Sequence, residues 1–135
     1  MIKEDYVSFE VAKLLKEKGF PQIEENSSYY VTEMVYSINA DKKGVHHLTH
    51  RYPAMYDINN YICAPTLQMA MKWLREVYRL SIEPYYDLVL SWVVDVKHIG
   101  KHTDTKEFEE VRSQSYNSYE QACESAIKYC LENLI

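Results

Sequence analysis

The chain has 135 residues, 47% hydrophobic and 26% charged, which suits one globular domain with its own core and not a disordered segment. Its formal net charge of −5 argues against duplex nucleic acid or an anionic membrane surface, because both select a basic footprint. No apolar run approaches the roughly 18 residues that cross a bilayer. The opening MIKEDYVSFEVAKLLKEKGF mixes charge into the stretch where a secretory signal would be continuously apolar, so a cytoplasmic location is expected.

Ser8 is placed to cap a first helix through Lys18, with Val11, Ala12 and Leu15 on its apolar face and Gly19 ending it in a left-handed conformation. Ser28 to Ile38 (SYYVTEMVYSI) is rich in tyrosine and β-branched residues and reads as a strand. The turn-forming Asn39 to Gly44 follows, and Val45 to Tyr52 returns as the second arm of a hairpin. Pro53 to Ala64 has no period and reads as a loop with a short strand near Tyr61.

Pro65 and Thr66 open a second helix, TLQMAMKWLREVYR, with Ala64 or Thr66 as its N-cap. Leu67, Ala70, Met71, Leu74, Val77 and Tyr78 form its apolar stripe, and Met69 and Trp73 widen that stripe to about half the circumference. A helix on one sheet needs less, so the extra flank implies another layer, the tyrosine-rich loop, or a partner chain. Strands are expected at Leu80–Tyr86 and Leu88–His98. Leu88, Leu90, Trp92, Val94 and Val96 would share the buried face, with Asp87 near the turn and Pro84 marking an edge. Gly100 to Ser115 is polar and reads as a loop. Ser118 caps the last helix, which runs to Leu134 with Gln121 at the capping-box position. The order α-β-β-α-β-β-α describes an α+β fold: an antiparallel sheet with helices packed on one face.

Cys63, Cys123 and Cys130 are odd in number and lack CxxC spacing. The last two stand two helical turns apart, about 10 Å, beyond the roughly 7 Å that a disulfide spans. All three read as reduced core residues.

Chemistry-bearing patterns are sparse. His46 and His50 would share one face of a strand, and His98 ends another, so these three, with Cys63 as a fourth ligand, form the candidate metal set. Glu107, Glu109 and Glu110 sit in a hydrophilic run and read as a solvated face. There is no GxSxG elbow, and glycine occurs only at 19, 44 and 100, which leaves no glycine-rich phosphate loop. No catalytic residue and no cofactor is expected. Lys72, Arg75 and Arg79 on the second helix, with exposed tyrosines, would suit single-stranded nucleic acid, against which the acidic balance weighs. The compositional anomaly is tyrosine, 13 residues in all, and an apolar body with a polar tip suits surfaces buried on association. Met69, Trp73, Tyr85 and Tyr86 are therefore the candidate interaction residues. They would serve a protein partner or a second copy of the chain.

Three segments, VSFEVAKLLKEKGF, Ala64–Glu76 (APTLQMAMKWLRE) and Tyr119–Ile135 (YEQACESAIKYCLENLI), resemble small uncharacterised proteins of gut bacteria and of their phages and mobile elements. The resemblance spans the chain, while the middle differs. It implies an accessory role in a phage or mobile element. It carries no activity, so it assigns no functional residue.

Overall fold

The computed structural model describes residues 2–22, 32–51, 58–100 and 114–135. Within these the elements are α1 (Phe9–Glu17), β1 (Met34–Ser37), β2 (Leu48–His50), β3 (Tyr61–Cys63), α2 (Leu67–Tyr78), β4 (Leu80–Asp87), β5 (Ser91–His98) and α3 (Tyr119–Tyr129). A 3-10 turn at Ile58–Asn60 precedes β3, and a π-helical turn at Cys130–Leu134 continues α3. The fold is α+β with antiparallel pairing throughout, in the order expected, plus the short strand near Tyr61. The strands form two sheets, β2-β1-β3 and β4-β5, in place of one continuous meander. The chain divides correspondingly into two compact units, Met1–Thr66 and Leu67–Ile135.

In the first unit the Ser8 hydroxyl accepts from the Val11 N–H at 3.2 Å, satisfying an amide that the first helical turn leaves unpaired. At the other end Gly19 takes φ 98°, so that Phe20 N–H bonds the Leu15 carbonyl and Gly19 N–H that of Lys16. This is a Schellman closure, and the burial of both Phe20 and Leu15 supplies its apolar contact. β1 is the central strand, pairing Val35 with Thr49 on one side and with Cys63 on the other, and Val35 is fully buried. Polar side chains fasten the sheet's margins. Thr32 donates its hydroxyl to the Ala64 carbonyl, Gln22 accepts from the Cys63 N–H, and the Tyr36 hydroxyl donates to the Val7 carbonyl at 2.6 Å.

The expected second arm, Val45–Tyr52, contracts to Leu48–His50. A turn built on Asp41 uses the residues before it, and Tyr52 lies outside the described residues.

In the second unit Arg79 occupies the left-handed region (φ 60°) between α2 and β4, which turns the helix directly into the strand. Leu80, Ile82, Val94 and Val96 are buried on one sheet face, and α3 packs against both strands through Ala122, Cys123, Ala126 and Ile127. Pro84 stands opposite Val94 in β4, an edge strand of its sheet, the position at which a strand tolerates a residue without an N–H. Ser118 caps α3 as expected, its hydroxyl accepting from the Gln121 N–H at 3.1 Å. All three cysteines are buried, and none is in a disulfide.

One strand boundary differs from the expected one. Leu88 and Leu90 continue the alternation of Trp92, Val94 and Val96, a period that puts them on a buried strand face. Instead β5 begins at Ser91, and both leucines lie in the turn. Asp87 is the cause. Its carboxylate accepts from the N–H of Val89 at 2.8 Å and of Leu90 at 2.9 Å, a side-chain closure that outcompetes two more rungs of strand.

Candidate interaction surface

β4 and β5 pair over eight rungs, from Leu80↔His98 to Asp87↔Ser91, and the three residues Leu88-Val89-Leu90 close the hairpin. Ser91 takes φ 76°, the left-handed residue that lets so short a loop rejoin the ladder. The apolar side chains at the tip are left in solvent: Leu88 is 93% exposed, Val89 90% and Leu90 49%. Tyr85 and Tyr86 extend the patch along β4 at 42% and 57%. An isolated exposed leucine needs no explanation, but a run of consecutive apolar residues flanked by aromatic ones does.

The tip stands on a braced neck. Tyr86 meets Trp92 edge to face at 5.3 Å, and Trp92 meets Tyr119 of α3 in the same way at 5.6 Å. Gln68 of α2 donates its side-chain N–H to the Tyr119 hydroxyl at 2.8 Å. Partial burial, more than any neighbouring group, raises the pKa of that phenol. Trp92 also exchanges two backbone hydrogen bonds with Tyr116, which ties the tip end of β5 to the segment before α3. Edge-to-face pairs contribute roughly 0.5–1.5 kcal/mol each beyond their burial, so the neck resists splaying. The electrostatics of this end are simple. From Pro84 to Val94 the one charged residue is Asp87. The two amide hydrogen bonds that it accepts hold its carboxyl below the usual value, so it is ionised at neutral pH.

Of the four interaction candidates, Tyr85 and Tyr86 lie on this surface. Trp73 does not, and is a correction: it is 2% exposed, packed edge to face on Tyr78 at 5.2 Å. The wide apolar flank of α2 is thus used within the chain. The apolar residue of that helix left in water is Val77, half exposed, and Met69 is half-buried. The periodicity could not separate these outcomes, since it gives a face but not what covers it.

The described histidines make local contacts and do not come together as the candidate set. His46 lies before β2 and not on it, so the shared strand face with His50 does not form. Its ring stacks on Phe9 at 3.6 Å, and its Nδ1 lies 2.9 Å from the Ser37 carbonyl, a partner that can only accept. His50 ends β2, and His98 ends β5 with Nδ1 3.3 Å from the Ile99 carbonyl. Cys63 is buried in β3. Among the described residues no group of three or more His, Cys, Asp or Glu side chains could hold a metal ion. On α2, Lys72 lies 4.0 Å from Glu76, and Arg79 forms the helix-to-strand turn. His102, Glu107, Glu109, Glu110, Tyr29, Tyr30, Tyr52 and Tyr56 lie outside the described residues. No helix among the described residues is long and apolar enough to cross a membrane. No protein-family model, curated protein or solved structure matches the chain.

Proposed function

We propose that this chain is a non-catalytic protein-interaction or assembly module whose contact is the tip of the β4–β5 hairpin. The observation that carries the reading is the near-complete exposure of Leu88 and Val89 on a braced, two-stranded support. Keeping such residues in water costs solubility and contributes nothing to the core, so they make sense as a surface covered in a complex. Because Asp87 already satisfies the Val89 and Leu90 amides, covering the tip leaves those two donors paired. An accessory role in a phage or mobile element fits a small domain of this kind.

The test is site-specific photo-crosslinking in cells expressing the chain. A crosslinking residue at Val89 is expected to give a discrete adduct, absent when the same residue replaces Glu10 on the exposed side of α1. An adduct of twice 16.0 kDa would identify a second copy as the partner, and any other mass a different protein. No adduct, or the same products from both positions, would refute the reading.

A further inference from the structure

We infer that the hairpin tip is built for a protein partner that surrounds an apolar socket with lysine or arginine side chains. This rests on the interaction reading above and adds the partner's chemistry to it.

Charge on the hairpin itself selects such a partner. Beneath the apolar tip, Asp87 lies on the same side of the ladder as Tyr85, Glu83 and Asp95, since these positions alternate along the strands. Glu83 stands directly opposite Asp95, a juxtaposition of like charges that destabilises a ladder unless something offsets it. Lys97 supplies part of the offset, 3.1 Å from Glu83. Between Leu80 and Lys97 the hairpin thus holds three carboxylates and one ammonium, and the ammonium sits at the end away from the tip. A partner that buries Leu88 and Val89 must bring its rim alongside Asp87, and a cationic rim is the one that offsets that carboxylate's lost hydration. The same residues disfavour a lipid surface. No lysine or arginine lies between Pro84 and Val94 to meet phosphate headgroups, and insertion would carry Asp87 into the interface.

The probe is a random dodecapeptide library displayed on phage, selected on the full chain and depleted on the double variant L88E/V89E. The expected result is a set of peptides combining apolar residues with lysine or arginine. Their affinity should fall at least about tenfold on the double variant, the loss of one to two apolar contacts. It should fall about two- to fivefold on Asp87→Asn, which keeps the turn's acceptor and removes the exposed charge. Val89→Lys, a single change at an exposed position, serves if the double variant misfolds. Tip-dependent peptides without a basic bias, or indifferent to D87N, would overturn the inference and leave the interaction reading standing. An absence of tip-dependent peptides would overturn both. Sedimentation of the chain, but not of L88E/V89E, with phosphatidylcholine vesicles would assign the tip to lipid and overturn the inference as well.

Discussion

Two turns in this chain are each closed by an aspartate and are dressed in opposite ways. At the β1–β2 connection the Asp41 carboxylate accepts from the N–H groups of Lys43 and Val45, and at the β4–β5 connection that of Asp87 accepts from Val89 and Leu90. Each needs one left-handed residue, Gly44 at φ 81° and Ser91 at φ 76°. The first turn presents Lys42 and Lys43 to water, as an ordinary surface turn does, and the second presents Leu88, Val89 and Leu90. Closure by an aspartate therefore does not by itself demand the apolar tip, since the same chain makes another such reversal with polar residues. A partner that covers the leucines, as proposed, would account for them.

The largest effect that tests this contrast is between leucines within the second unit. Leu131→Ala, at a fully buried position, should lower stability by about 2–5 kcal/mol, whereas Leu88→Ala should change it by no more than about 0.5 kcal/mol. Urea denaturation of the two variants checks this, and a large loss at Leu88 would show that the tip is packed and not offered. The thiols give a companion measurement. Desolvation raises Cys123 to about 11 and Cys130 to about 12, and Cys63 is equally buried. At about pH 8 a disulfide reagent should label none of the three until the chain is unfolded; prompt labelling of the native protein would contradict this packing.

The next effect exchanges the left-handed residues. Gly44→Ala should cost about 1 kcal/mol, because a Cβ at positive φ is strained even though no atom lies within 4 Å of it. Ser91→Gly should gain somewhat less than about 1 kcal/mol, as relief of the same strain is offset by loss of the hydroxyl's 3.3 Å bond to the Tyr116 carbonyl. Opposite signs in thermal unfolding would sharpen the equivalence of the two turns. A destabilised S91G would mean that the serine hydroxyl, and not the backbone, fixes the second.

Helix positions were legible because caps and periodicity act locally: Ser8, Gly19 and Ser118 each do what their residue types allow at that spacing. The α+β class followed from the order of elements. The proposed contact surface was legible only in part. Tyr85 and Tyr86 were singled out by composition, but the apolar alternation running from Leu88 to Val96 has the same period whether its first two leucines are in a strand or a turn. The discriminating signal was the Asp87 carboxylate, whose preference for amides two and three residues ahead ends the strand before it begins. Trp73 failed for a different reason. A wide apolar face announces burial, and the sequence holds no information on whether the cover comes from the same chain.

The smallest effect separates the two aspartates themselves. Both carboxyls are held below the ordinary 3.8, Asp87 by the Leu90 and Val89 amides, and Asp41 by the Val45 amide first and then by its hydrogen bond to His47 at 2.6 Å. A folded-state value below the unfolded one means that each turn's contribution is present above the unfolded value and lost as pH falls through the folded one. Both turns should therefore loosen only below about pH 4. Carbon-detected NMR titration of the two carboxyls reads this directly. Salt then distinguishes them. Part of the Asp41 depression is Coulombic attraction to His47, which ions screen, whereas Asp87 is held by amide hydrogen bonds, which they screen far less. Raising ionic strength should move the Asp41 midpoint upward more than that of Asp87. Equal movement would mean that a positive charge near Asp87 contributes too. The neck of the apolar tip would then already carry its own counter-charge, and a partner's lysine or arginine would have less to gain there.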